Sequence, residues 1–525
     1  MLEHRQNSEN SEAKIDSYWY AKLSEILKDF ENQDFSKIPK EKEALLRKNF
    51  EENGQIPDLT PDNFNPDQLR ELDKKLREFR KELLTTEERP EIRLPYLWRV
   101  NISIARCGLF TAAMEDDMLK YKRYVEFIYG RPDLKVFNYT LEKLHSELDE
   151  SINSESEALR TAALELKQSI PLPNENIETV KHPSTKEFLS IKEKIAEEFG
   201  ELMEKINEEK EYNSDETKEI FQTVFLELGY TDWKTEIDDS KKFIAIRPKS
   251  KKLLIPQKLK RKGKEIKRLI AHEIFGHAKR RELSEKSPFE LMKEMDRYVV
   301  GEEAVTVLKE QSLEEKLSSF SDHPNHLAIG LVYGLDGTKR NFADIYQILL
   351  KYYTYSNIKN GEDPKKAIDT AWDRTCRYFK GTDGKTEGLC YTKDIVYREG
   401  NAGLWQLLKK HPELLTMTEL GKWDINNPTH WWALLANGII KPEDMKYLES
   451  VEQLAFKDLK PGIKKDLLDK YRGELINRIK STIDGNKGSR EKNGKILFGA
   501  YRGTGNSLSI PFFYKIVFIY KRLAF

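Results

Sequence analysis

Cysteine is scarce in this chain: three residues in 525, Cys107, Cys376 and Cys390, with no Cys-x-x-Cys spacing and no even number to pair. That excludes a disulfide framework, favours a reducing compartment, and requires any metal to be held without thiolates. No apolar run is long enough to span a bilayer, so no transmembrane segment is expected. A net charge is missing as well, since Lys+Arg and Asp+Glu both number 89. The composition therefore gives no case for nucleic acid or an anionic membrane as partner. Met1 to Lys14 is polar and lacks the apolar centre of a signal peptide, which makes a cytoplasmic protein the expectation. Histidine is also rare, with nine residues.

Two of those nine flank a glutamate in Leu269-Ile270-Ala271-His272-Glu273-Ile274-Phe275-Gly276-His277-Ala278. Imidazoles for a metal and a carboxylate for its water are what metal-assisted peptide hydrolysis needs, so this stretch reads as a zinc site for one ion. In the common zinc-protease helix the histidines lie four apart, about 40° round the axis, whereas a five-residue step separates them by about 140° on an ideal helix. A π-bulge or local unwinding must absorb the extra residue, and Gly276 sits where that distortion would fall.

The length exceeds what one core usually serves, so several domains or one enlarged domain are expected. Residues 1–88 read as a charged helical extension, with helical periodicity around Tyr18 to Phe30 and Leu69 to Leu84. Residues 89–455 read as the catalytic domain, with a helical part over 89–184 and the catalytic part over 185–455. Leu94 to Trp98 and Ile102 to Met114 look like two buried helical pieces, Glu147 to Leu166 like one helix, and Ile170 to Pro183 like a linker. Trp233 to Ile237, Phe243 to Ile246 and Leu253 to Ile255 are strand candidates, a small sheet directly before the metal helix. Its edge could hold an extended peptide beside the ion. The basic run Gln257 to Arg268 could attract acidic substrates or form a solvated face. Residues 456–525 read as a C-terminal helix and tail, with a flexible linker over Asp484 to Gly494 and an apolar run from Pro511 to Phe525 too short and lysine-interrupted to cross a membrane.

Zinc needs a third protein ligand. The helical pattern over Phe289 to Lys309 offers adjacent Glu302 and Glu303, and periodicity does not choose between them. Glu303-Ala304-Val305-Thr306 resembles the cadence by which glutamate-ligated zinc peptidases supply that ligand, which leaves Glu302 a supporting role. His323 and His326 lie in Ser321-Asp322-His323-Pro324-Asn325-His326, a helix-start signature, and are read as belonging to that start.

Together with Arg377-Tyr378-Phe379-Lys380-Gly381 and Lys393-Asp394-Ile395-Val396-Tyr397-Arg398-Glu399-Gly400, these features resemble the microtubule-associated tyrosine carboxypeptidases and their prokaryotic tyrosine/phenylalanine carboxypeptidase-like relatives. The family shares a His-Glu-x-x-x-His helix and a Lys-Asp-x-x-Tyr-x-x-Gly block. Where the prokaryotic members carry Gln-Glu-Gly-Leu-Ala, this chain has Glu302-Glu303-Ala304-Val305-Thr306. It keeps the glutamate and departs around it. The resemblance covers roughly Pro90 to Val451.

It implies an α+β, mainly helical, zincin-like zinc metallocarboxypeptidase acting on peptide or protein C-termini. His272, His277 and Glu303 would bind zinc, and Glu273 would act as base. Arg377, Lys380, Lys393 and Tyr397 become candidates for substrate binding, with Phe379 or Tyr391 as walls for an aromatic side chain. Binding to tubulin or microtubules is not implied. Two alternatives stand beside this reading. Dipeptidyl peptidase III carries a similar His-Glu-Leu-Leu-Gly-His helix and acts at the N-terminus, and a non-catalytic scaffold could keep a structural zinc, although Glu273 would then have no task.

Overall fold

Leu69, Leu72, Leu76, Phe79 and Leu83 fall on one stripe of Pro66–Thr86 and are all buried, the period of an amphipathic helix. The same period builds the first third of the chain as α1 (Ser17–Glu31), α2 (Lys40–Asn53), α3 (Pro66–Thr86), α4 (Pro90–Met114), α5 (Met118–Tyr129), α6 (Leu134–Ile152) and α7 (Glu157–Ser169). The computed structural model describes residues 14–31, 38–61, 65–241, 243–320, 323–448 and 450–452, with 473, 474 and 477. The polar start before Lys14, the segment Asp484 to Gly494 and the run Pro511 to Phe525 lie outside the described residues. Two compact units, Met1–Leu475 and Ile476–Phe525, divide the chain. All that follows concerns the first.

The two helical pieces expected around Pro95 are one helix, α4. A proline inside a helix leaves the carbonyl four residues back without its donor. Here that carbonyl belongs to Glu91, and the side-chain amide of Asn437 donates to it at 2.9 Å. The single helix expected over Glu147 to Leu166 is instead the end of α6 and the start of α7. Ser156 caps α7 by accepting from the Leu159 amide at 3.3 Å, a local bond that competes with helix continuation.

After α8 (Thr185–Phe199) come two small sheets, with α9 (Ser214–Glu227) between their first and second strands. β1 (Glu211–Asn213) pairs antiparallel with β5 (Lys260–Lys262). β2 (Lys234–Asp238) and β3 (Ala245–Arg247) flank β4 (Lys252–Pro256), with β2 parallel and β3 antiparallel to it. Leu253 and Ile255 are fully buried. The turn before β4 is held by Lys251, whose φ is +49° and whose ammonium meets Asp232 at 2.6 Å, Glu282 at 2.7 Å and Glu285 at 2.8 Å. This knot pins the sheet to the helix that follows the His-Glu-x-x-x-His stretch.

The rest is again helical: α10 (Gly263–Leu269), a π segment (Ile270–Ala278), α11 (Lys279–Lys286), α12 (Val299–Gln311), α13 (His323–Tyr333), α14 (Phe342–Lys359), α15 (Lys366–Phe379), α16 (Ile395–Lys410) and α17 (Pro428–Ala436). The described residues are thus mainly helical with small sheets. No helix among them is long and apolar enough to cross a membrane. The helix expected over Phe289 to Lys309 does not run through. Arg297 takes a left-handed φ of +51°, so α12 starts at Val299. A large core joins α2, α6, α7 and α13 to α15, where Phe50 meets Phe342 and Tyr346 edge-on.

Candidate metal centre

α10, the π segment and α11 follow one another without a break, so the expected distortion is a whole π stretch carrying both histidines. In π winding the hydrogen bond closes on the fifth residue, so His272 and His277 stand one turn apart on the same face. Ile270, Ala271, Ile274, Phe275 and Ala278 fill the opposite side and are almost fully buried, which holds the stretch in place. Gly276 has a packing role too. A Cβ there would lie 2.4 Å from Cγ2 of Thr306, so its hydrogen lets α12 approach the π segment. Gly400 does the same between α16 and α12, where a Cβ would lie 2.6 Å from the carbonyl oxygen of Val300.

This close approach brings Glu303 to the histidines. Among the described residues one group of side chains could hold a metal ion, His272, His277 and Glu303, with one ligand atom from each lying within 4.8 Å of the others. The two Nε2 atoms are 3.2 Å apart, and Glu303 Oε2 is 3.8 Å from that of His272 and 3.9 Å from that of His277. Tetrahedral bonds of about 2.0–2.1 Å put ligand atoms roughly 3.3 Å apart, so small side-chain movements would bring all three onto one ion.

Each ring is backed by a carboxylate. His277 Nδ1 lies 2.8 Å from Glu302 Oε1, and His272 Nδ1 lies 2.5 Å from Glu310 Oε1. An ionised carboxylate only accepts, so each Nδ1 carries the proton and each Nε2 of a neutral ring presents a lone pair. Three electron-rich atoms then converge with no donor between them. A cation satisfies all three. Without one, the pocket draws a proton: burial opposes charge on His272, but the Glu310 hydrogen bond and the carboxylates of Glu273, Glu310 and Glu303 outweigh it and push the pKa up to about 9. Glu273 is itself buried, and that burial raises its pKa. It is a stronger base for it.

Adjacent Glu302 and Glu303 divide the work. Glu303 faces the rings, and Glu302 turns inward to hold His277 from behind. Glu310, Lys422 and Arg280 were not found from the sequence. Glu310 had a signal, since it follows Glu303 by seven residues and so shares its face of α12. Lys422, which reaches Glu302 Oε1 at 2.8 Å from over a hundred residues away, had none.

The other candidates fare unequally. Arg377 is held by Asp394 through both Nε and a terminal nitrogen, the latter at 2.8 Å. Lys380 lies over the Tyr391 ring, 5.4 Å from its centre, and the Tyr391 hydroxyl meets that of Tyr129 at 2.8 Å. Lys393 and Tyr397 are half-buried at the entry to α16. Phe379 is fully buried in the core against Phe342, so it cannot wall a substrate pocket. His326 Nε2 donates to Glu399 Oε1 at 3.1 Å, and His323 opens α13.

The basic run is largely neutralised in place. Lys260, Arg261, Lys262, Lys267 and Arg268 lie within 4.0 Å of Glu211, Glu265, Glu209, Glu208 and Glu310 respectively. No protein-family model matches the chain, and no curated protein or solved structure matches it.

Proposed function

We propose that this protein is a zinc-dependent metallopeptidase with a zincin-like site, acting as a carboxypeptidase on peptides or proteins that end in tyrosine or phenylalanine. The observation that carries the reading is the convergence of His272 Nε2, His277 Nε2 and Glu303 Oε2, each histidine backed by a carboxylate. Two histidines and a carboxylate are a donor set that zinc accepts while keeping a position for water. When bound, zinc supplies Lewis-acid polarisation of the scissile carbonyl and lowers the pKa of its water. Glu273 takes a proton from the attacking water and returns it to the leaving amine. The edge strand β3 lies against the π segment, where its open side could pair with an extended substrate.

The direction of cleavage rests on the resemblance of the Lys393 to Gly400 block to the tyrosine carboxypeptidases. A C-terminal carboxylate calls for a cation. Lys380, Lys393 and Arg377 are the candidates to supply it, and Arg377 would have to exchange Asp394 for the substrate. Tyr397 would stabilise the developing oxyanion. Peptides ending in free tyrosine or phenylalanine should be shortened by one residue, and their amides should be nearly inert, as read by mass spectrometry. Glu273→Gln should keep its zinc and lose about 10²–10⁴-fold in turnover, the usual worth of a general base. Dipeptides released from the N-terminal end would overturn the direction, and unchanged turnover in Glu273→Gln would overturn the mechanism.

A further inference from the structure

We infer that Glu302, clamped by Lys422 and Arg280, is the positioning residue that sets metal affinity at this centre, and that the Glu310 contact to His272 is subordinate to it. This rests on the zinc reading above. The Glu302 side chain is 4% exposed. Its Oε1 meets both His277 Nδ1 and Lys422 Nζ at 2.8 Å. Its Oε2 takes no hydrogen bond and faces Arg280 Nε at 3.5 Å.

The clamp is itself anchored. The Arg280 guanidinium donates to the backbone oxygens of Gly301 and Trp423 at 3.3 and 2.7 Å. Lys422 lies over the Tyr298 ring, and its amide donates to the Met292 carbonyl at 2.9 Å. Both cations are nearly fully buried. Glu302 therefore has one place to stand, and His277 inherits that precision. Glu310 is 20% exposed, and its second oxygen meets Arg268, whose side chain is 67% exposed. Water can take over there.

Outer carboxylates of metal-bound histidines are typically worth about 10–100-fold in affinity. Two variants separate reach from charge. Glu302→Asp keeps the charge beside Lys422 and Arg280 but falls a methylene short of His277, while Glu302→Gln keeps the reach and loses the charge. Zinc dissociation constants by chelator competition should rise about tenfold or more in Glu302→Asp, by less in Glu302→Gln, and by no more than about threefold in Glu310→Gln. The visible spectrum of the cobalt-loaded protein should change with Glu302→Asp and stay as in the parent with Glu310→Gln. A variant destabilised only in its packing would lose folded fraction and leave that spectrum unchanged, which would overturn the inference. So would wild-type affinity in Glu302→Asp, or equal losses at the two glutamates. Failure of the parent protein to bind zinc or cobalt would instead overturn the zinc reading itself.

Discussion

Behind His277 the Glu302 carboxylate is buried between Lys422 and Arg280, whereas behind His272 the Glu310 carboxylate is partly open to water and meets Arg268 at the surface. The two rings present the same chemistry to the centre, yet their supports differ in kind. A buried charge that loses its partner leaves an uncompensated ion, which costs about 3–5 kcal/mol, while an exposed pair is worth about 0–1 kcal/mol because solvent replaces it. One side of the centre is thus part of the folded core and the other is adjustable. Removal of a ligand should erase the distinction. His272→Ala, His277→Ala and Glu303→Ala each take away one of three donors; at roughly 3 kcal/mol per ligand, from about 10–16 kcal/mol for a four-ligand zinc site, each should lose over a hundredfold in zinc affinity. A His272→Ala protein that holds zinc as the parent does would break the site and the comparison together.

The supports themselves should respond unequally. Lys422→Met leaves Glu302 with Arg280 alone and should cost about 3 kcal/mol or more in unfolding free energy of the metal-free protein, while Arg268→Gln should cost less than about 1 kcal/mol. Denaturant unfolding of both variants in low and high salt checks this. The Arg268→Gln difference should shrink with salt, and the Lys422→Met difference should persist, because screening reaches exposed pairs and spares buried ones. Similar costs for the two variants would mean that burial does not distinguish the two sides.

The same contrast governs what could be read from the sequence. His272, Glu273 and His277 are local, and their five-residue spacing demanded a π distortion that the fold contains over Ile270–Ala278. Periodicity left Glu303 as one of two neighbours, because adjacent positions on a helix point about 100° apart and the pattern does not say which faces the partner, and only its resemblance to the glutamate of zinc peptidases singled it out. The three short strands before the motif were legible from their apolar residues, but β1 and β5 were not. They pair residues some fifty positions apart and carry mostly charged side chains. The long helix expected after Phe289 is instead a short 3-10 turn over Glu290–Lys293 and, from Val299, α12, with Arg297 in a left-handed conformation between them. That conformation is rare for residues other than glycine, so no pattern announces it. Lys422 illustrates the general limit: a lysine in a loop is ordinarily solvated, and only the tertiary fold turns it onto a buried carboxylate.

The smallest effect expected concerns the contact that both sides share. The π segment meets α12 at Gly276, where a Cβ would come within 2.4 Å of Thr306 Cγ2 and 3.0 Å of its Cβ. Thr306 is fully buried, and its hydroxyl donates to the Glu303 carbonyl at 3.0 Å, so it cannot swing aside without loosening the turn that carries Glu303. Overpacking of this kind costs about 1–3 kcal/mol. Gly276→Ala should therefore lower stability by that amount and push α12 away from both histidines at once, weakening zinc binding without favouring either side. Thr306→Ser removes the offending methyl and keeps the hydroxyl. Combined with Gly276→Ala it should recover a good part of the loss, giving a coupling energy of about 0.5–3 kcal/mol in a double-mutant cycle. Strict additivity of the two substitutions would show that this glycine serves the winding of the π segment itself and not the approach of α12.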